Sequence, residues 1–262
     1  MSADPAARAA RFRALHQAPG IFVMPNPWDA GSAKALAALG FMALATSSGA
    51  SAGLLGRRDG QVSRDEALAH ARLIVQATEL PVSADLEKGF GDDPDTVAQT
   101  ITLAGETGLA GASIEDASGD PSRPIFDFTL AVERIAAAAE AVRRLHTPFV
   151  LTARTENFLH GRADLDDTIR RLQAFEQAGA QVLFAPGLVD LASVRAVCDA
   201  VSAPVNFMAG IKGKSFSVAD LEKAGVKRVS VASSFYRAAM AALRDAATEV
   251  RDRGTFGYLD RI

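Results

Sequence analysis

The sequence predicts a closed, parallel (β/α)8 barrel, and three observations lead there. Eight short apolar segments alternate with longer amphipathic ones, the order that strand–helix units require. Gly or Pro stands at most of the junctions. No linker or low-complexity stretch divides the 262 residues, a length that suits a single barrel of about 250. An open doubly wound sheet is the runner-up, but eight consecutive units without a break favour closure. The domain is read as residues 1–262, with 1–18 as an N-terminal helical extension.

The expected strands, in order, are "IFVMPN" (21–26), "MALATSSG" (42–49), "PVSADLE" (81–87), "GASIEDA" (111–117), "FVLTART" (149–155), "QVLFAPG" (181–187), "PVNFMAG" (204–210) and "RVSVASS" (228–234). Helical patterns fill the gaps. In "SRDEALAHARLIVQAT", Ser63 and Glu66 form a capping box. In "DPDTVAQTITLAGETG", Asp93 caps, Pro94 takes the first helical position and Gly108 stops the helix. "DFTLAVERIAAAAEAVRRL", "DLDDTIRRLQAFEQAG" and "SVADLEKAG" read the same way. The units "AALGFMALATS", "FEQAGAQVLFA" and "LEKAGVKRVSV" each close a helix at Gly and enter a strand at once.

Composition narrows the function. The chain is 48% hydrophobic and 23% charged, with a formal net charge of -3. Neither a nucleic-acid nor an anionic-membrane partner is expected. The single cysteine, Cys198, allows no intrachain disulfide and fits a reducing compartment. The N-terminus lacks the apolar core of a signal peptide, and no run of roughly 18 apolar residues could span a membrane. A cytoplasmic location is expected.

The chemistry gathers at strand ends. In a barrel of this class, active sites form at the C-terminal ends of the strands. Strand three ends in Asp85 and Glu87, two residues apart, so strand alternation points both the same way. Strand four ends in Glu115 and Asp116, and strand five in Arg154 with Glu156 close behind. "TSSGAS" after strand two is a small polar turn whose amides could meet an anion. Oxygen donors without His or Cys select a hard cation, Mg2+ or Mn2+. The alternative is a salt-bridge cluster in which Arg154 and Lys88 neutralise the acids.

"NPWDAGSAKALAALGF", "TSSGASAGLLGRRDGQ", "SADLEKGFGD", "GASIED" and "TARTE" together resemble the isocitrate lyase/phosphoenolpyruvate mutase superfamily, over about residues 12–240. The resemblance implies a (β/α)8 barrel whose last helix is swapped between subunits in a homodimer or homotetramer. It also implies Mg2+-dependent chemistry on small 2-oxo carboxylates through an enolate. Carried over to this chain, Asp85 is the direct metal ligand, and Glu87 and Glu115 hold metal-bound water. Glu87 departs from the commoner Asp-x-Asp form. Asp59 lies near the reacting centre. Ser47, Ser48 and Gly49 bind the substrate carboxylate, and Arg154 pairs with it. Trp28 and Asn206 stand near the substrate.

The loop after strand four reads "EDASGDPSRPIFD". It lacks the Lys-Cys-Gly-His segment of isocitrate and methylisocitrate lyases. It also lacks the Lys and later Asn-Ser of the phosphonate enzymes. Asp120 and Arg123 are its remaining polar candidates, and both also read as solvated loop residues. The expected function is a Mg2+-dependent lyase for a small 2-oxo or 2-hydroxy carboxylate, with oxaloacetate decarboxylation or a related C–C cleavage first. Phosphonate-type P–C chemistry and a catalytically silent metabolite-binding barrel are the alternatives. Among weaker features, "AGIKGKSF" has two lysines among glycines but not the spacing of a phosphate loop. His160 reads as a surface residue, His16, His70 and His146 as structural, and Cys198 as packing. The Ala/Leu stripe of "YRAAMAALRDAATEV" reads as a face against the barrel or a partner subunit.

Overall fold

The computed structural model describes residues 4–213 and 215–261. Eight strands form one parallel sheet in the order β1-β8-β7-β6-β5-β4-β3-β2. They are β1 Phe22–Met24, β2 Leu44–Ala45, β3 Val82–Asp85, β4 Gly111–Glu115, β5 Val150–Arg154, β6 Val182–Phe184, β7 Val205–Met208 and β8 Arg228–Ser230. The remaining seam, between β1 and β2, is stitched rather than laddered. Ala45 N donates to Pro25 O at 3.0 Å and Asn26 Nδ2 to Thr46 O at 2.8 Å. The result is a nearly closed (β/α)8 barrel.

The helices are α1 Pro5–Gln17, α2 Ala30–Ala38, α3 Ser48–Leu54, α4 Arg64–Ala77, α5 Pro94–Gly105, α6 Phe128–Arg144, α7 Leu165–Gln177, α8 Leu191–Asp199, α9 Val218–Lys223 and α10 Ser234–Arg253. Their N-terminal signals act as expected, whereas α5 ends at Gly105, three residues short of the Gly108 expected to stop it. Ser63 and Glu66 close a reciprocal capping box on α4, and Asp93 caps α5 ahead of Pro94. Each outer helix buries one stripe against the sheet: Leu68, Ala71, Ile74 and Val75 on α4, and Val97, Thr100, Ile101 and Ala104 on α5. That spacing of three and four is the helical period.

The second strand is shorter than expected. Its polar end becomes the start of α3, with Ser47 at the N-cap position. The N-terminal extension is a plug. On α1, Ala9 and Phe12 pack with Phe22, Ala43, Ala110, Val150 and Val182 across the floor of the barrel, and Arg8 donates to the Val75 and Thr78 carbonyls of α4 and its following turn. The last helix behaves differently. None of the residues of α10 is buried, although it carries a hydrophobic stripe, and Leu243 is 58% exposed. No helix among the described residues is long and apolar enough to cross a membrane.

Candidate active site

A cavity of about 230 Å³ opens at the C-terminal ends of the strands, lined among others by Thr46, Ser47, Ser48, Gly49, Asp59, Asp85, Arg154 and Asn206. Asp85 is the last residue of β3, and both its oxygens are engaged. Oδ1 takes Arg154 Nη1 at 3.0 Å. Oδ2 accepts from the Ser48 amide at 3.1 Å and the Ser48 hydroxyl at 3.0 Å. The amide expected to meet an anion at the "TSSGAS" turn is therefore given to Asp85. Thr46 Oγ1 accepts from the Asp85 amide at 3.0 Å and fixes its backbone, while Ser48 of α3 and Arg154 of β5 hold the two carboxylate oxygens.

Arg154 ends β5, and its guanidinium is shared by three acids. Besides Asp85, it meets Glu115 Oε2 at 3.2 Å and Glu156 Oε1 at 2.8 Å, with Nε also on Glu156 at 3.0 Å. Phe184 of β6 packs beneath it, 5.0 Å from the guanidinium carbon to the ring centre. Burial opposes the charge on Arg154, but Glu156, Glu115 and Asp85 outweigh it and raise its pKa. Glu115 is driven well above the usual carboxylate range, by burial first and then by Glu156, Asp85 and Glu87, against the pull of Arg154.

Glu87 does not follow the alternation that makes it a neighbour of Asp85 in sequence. Strand β3 stops at Asp85, and Glu87 has a left-handed backbone with φ +50°, an arrangement that costs roughly 1–2 kcal/mol. Its side chain lines adjoining recesses, with Asp85 and His70 in one and with Gly60 and Arg64 in the other. Burial, then the charges of Asp85 and Asp59, push its pKa up to about 7. The strained turn has a buttress that sequence reasoning missed. Arg134 of α6, 1% exposed, donates to the carbonyls of Lys88, Gly91 and Asp92 and stacks over Phe126 at 4.2 Å.

Asp59 reaches the cavity from the loop after α3. Burial of its carboxyl raises its pKa, and Asp85 adds to the rise against a hydrogen bond from Ser48. Gly49 makes room for it: a Cβ there would lie 3.2 Å from Asp59 Oδ2. Asn206 is 2% exposed and its amide is committed inside the barrel. It accepts from Arg228 Nε at 2.8 Å and donates to Ser230 Oγ at 3.0 Å. Trp28 is outside this cavity, in a shallow apolar groove with Ala35, Leu36 and Phe235, edge-on to Tyr236 at 5.9 Å.

The acid next in sequence to Glu115 faces the other way. Asp116 leaves the barrel interior and meets Arg171 of α7 at 3.2 Å, while accepting from the Glu156 amide at 2.8 Å. Burial pushes its pKa up to about 6. It thus braces the segment carrying Glu156.

The loop after β4 folds on itself. Ala117 bridges Ile125, Asp120 accepts from Ser122, and Arg123, 81% exposed in its side chain, reaches Asp120 at 3.8 Å. Both line a separate outer pocket. His160 and His146 are exposed, and His70 bonds the Trp28 carbonyl at 2.8 Å. Cys198 sits half-buried on α8, its thiol pushed up to about 12 by burial, so it is unreactive packing. Of the lysines in "AGIKGKSF", Lys214 lies outside the described residues.

The Phosphoenolpyruvate phosphomutase family profile matches residues 12–251. The chain belongs to this family. It is 32% identical to the 2-methylisocitrate lyase of Escherichia coli (strain K12) over 216 residues, 79% of this chain and 72% of that protein. An uncharacterized protein of Mycobacterium tuberculosis is 31% identical over 242 residues, 92% of this chain and 89% of that one. Among solved structures, a putative lyase/mutase from Burkholderia cenocepacia J2315 superposes with a TM-score of 0.96 at 53% identity, covering 98% of this chain and 92% of that one. An oxaloacetate acetylhydrolase in complex with oxalate gives 0.89 at 26% identity, covering 97% and 90%. The phosphomutase family thus lies, with these lyases, inside the isocitrate lyase/phosphoenolpyruvate mutase superfamily, as the sequence motifs imply.

Divalent metal dependence is general in that superfamily. Among the described residues, no three His, Cys, Asp or Glu side chains stand together as a ready cage for an ion. The donors nevertheless fit Mg2+, which takes one or two carboxylates and keeps waters in its shell. The fit rests on charge. Asp59, Glu87 and Glu115 all have raised pKa values, and mutual repulsion around Asp85 contributes to each. Arg154 is the guanidinium at their centre, while Lys88 turns away to Asp92 and the Ser118 carbonyl. A cation beside Asp85 would relieve that excess.

Proposed function

We propose that this protein is a Mg2+-dependent lyase acting on a small 2-oxo or 2-hydroxy carboxylate through an enolate, with oxaloacetate decarboxylation or a related C–C cleavage as its reaction. The observation that carries this reading is the acid-rich mouth, where Asp85, Glu115 and Glu156 surround Arg154. Asp85 would hold the ion directly, and Glu87 and Glu115 would hold its waters. When bound, the metal withdraws electrons from the substrate carbonyl and stabilises the negative charge that grows there. Arg154 orients the substrate carboxylate, a role for which its planar fork is suited. To do so, it exchanges part of its contact with Asp85 or Glu115 for the substrate. The Ser47–Gly49 turn and Thr46 hold Asp85 in place while this happens. Asp59 stands at the rim, where it can take or return a proton.

The self-contained loop after β4 favours decarboxylation within this class. When the C3–C4 bond breaks, its electron pair passes into the enolate and CO2 leaves. The enolate carbon then takes its proton from water, so no acid from that loop is needed. A screen of 2-oxo acids and phosphonates with Mg2+ tests the proposal. Turnover of a 2-oxo dicarboxylate supports it; P–C cleavage, or metal binding without any turnover, would replace it with one of the alternatives.

The subunit arrangement belongs to the same proposal. The unburied apolar stripe of α10 suits a second copy of this chain, consistent with a swapped C-terminal helix. Near the root of α10, Tyr236 packs so closely on Gly53 that a Cβ there would lie 2.7 Å from its ring.

A further inference from the structure

Below the acidic mouth, the same cavity reaches a second guanidinium of opposite setting. Arg228, on β8, is 3% exposed and contributes to the cavity lining with Met24, Ser83, Ser113 and Ser230. Barrel interiors are ordinarily filled by bulky branched side chains. Here hydroxyls line the hollow and a cation stands at its base.

Each contact of Arg228 is to a neutral group. Nε donates to Asn206 Oδ1 at 2.8 Å, Nη2 to Thr152 Oγ1 at 3.1 Å and Nη1 to His16 Nε2 at 3.2 Å. The histidine adds no charge. Its Nδ1 lies 2.9 Å from the Phe12 carbonyl, which only accepts, and its Nε2 faces a guanidinium, which only donates. Both demands select one neutral tautomer. Among the described residues no carboxylate pairs with Arg228, in contrast to Arg154 with its three. Burial alone lowers its pKa, to about 9, so it remains charged near neutrality. A guanidinium has five N–H donors, and these three bonds leave capacity on both terminal nitrogens.

The depth is set by β5. Thr152, which holds Arg228, precedes Arg154 by two residues on the same inward face. Two residues of parallel strand span about 6.6 Å. The two arginines therefore bear on successive layers of one hollow, so a ligand that meets both must present carboxylates at two depths.

We propose that Arg228 is the second anion anchor of this cavity, binding the distal carboxylate of a dicarboxylate substrate whose 2-oxo or 2-hydroxy end sits at the mouth. This deepens the function proposed above and rests on it for the placement of the proximal end. Unpaired buried charge is costly, and an arriving carboxylate supplies the missing partner. A monocarboxylate of equal length leaves the cation unpaired, so the floor selects for the diacid.

Calorimetry on the whole protein with Mg2+ tests this, using malate and 2-hydroxybutyrate. These ligands differ only by a carboxylate in place of a methyl group. The expected result is at least tenfold tighter binding of malate, a preference that collapses in Arg228→Met while 2-hydroxybutyrate affinity stays within twofold. Arg228→Lys, which keeps the charge, should retain part of the preference. Equal affinity for the two ligands in the parent protein overturns the proposal without needing any variant to fold. A preference that survives in a folded Arg228→Met overturns it as well. Oxalate, too short to reach the floor, separates the two readings. If oxalate binds no better with Mg2+ than without, the metal-dependent mouth fails, whereas an Arg228-dependent preference for malate still upholds the anion site.

Discussion

The mouth and the floor of the barrel each bury an arginine, one strand layer apart, and their surroundings are opposite. Arg154 has three carboxylates within 3.2 Å. Arg228 has an amide, a hydroxyl and a neutral imidazole. The mouth gathers more carboxylates than one guanidinium offsets; burial first, and then repulsion by neighbouring acids, raises the pKa values of Asp59, Glu87 and Glu115. The floor carries uncompensated positive charge. Buried charges without partners are rare because desolvation is expensive. One hollow therefore presents a place for a cation at its rim and a place for an anion at its base. A short diacid with its metal satisfies both.

The largest expected effect breaks the mouth. Asp85→Ala should lower Mg2+-dependent turnover by about 10³-fold or more, which is about 4 kcal/mol at 1.36 kcal/mol per decade. It should also abolish the Mg2+-induced rise in melting temperature. Unchanged metal affinity by calorimetry would remove Asp85 as the ligand.

Next, Arg154→Lys keeps the charge of the mouth but loses the fork. Oxalate binding should weaken by about 1–3 kcal/mol, the scale of a hydrogen bond to a charged group, while Mg2+ affinity changes much less. If oxalate binds as tightly as in the parent, Arg154 only neutralises the acids.

The floor is sharpened by pH. Burial, then the charge of Arg228, lowers the pKa of His16 from 6.5 to about 3. The native imidazole stays neutral while the unfolded one takes up a proton below about 6.5. His16 therefore costs no stability above that pH and removes stability as pH falls, until the folded value near 3 is reached. Between pH 7.5 and 5.0 the loss is about 2 kcal/mol. Urea unfolding at both values should show that loss in the parent and not in His16→Gln; parallel losses would mean that His16 is already protonated in the native state.

The smallest effect is expected far from both sites. Cys198→Ser should leave turnover within twofold, since the thiol is half-buried on α8 with its pKa held high. With no cysteine at the mouth, 2-methylisocitrate should not be cleaved at enzymatic rates. Efficient release of succinate from it would show that another group can replace that acid.

Several parts of this comparison were legible in the sequence. Asp85, Glu115 and Arg154 are found by their positions at the ends of apolar segments, because strand alternation and the barrel rule act locally. Glu87 was legible as an acid near the site but not in its direction, since a left-handed residue breaks the alternation just after the strand ends. Trp28 sits beside a motif of the site and still lies in another groove. Arg134 gave no signal, because what it holds is the backbone of a turn more than forty residues away.

By itself, then, the sequence determined the count and order of strands, the helix caps and the acids at the mouth, because hydrophobic period, capping and strand polarity act over a few neighbouring residues. Arg228 follows Lys227 in the chain, and nothing local in the sequence tells the two apart. Only the closed barrel separates the two, leaving Lys227 outside the N-terminal end of the strands against the Ala18 and Gly20 carbonyls and driving Arg228 inward to His16, 212 residues away. Which charges share a dry space depends on how strands distant in the chain converge, and that convergence is set by the packing of the whole barrel.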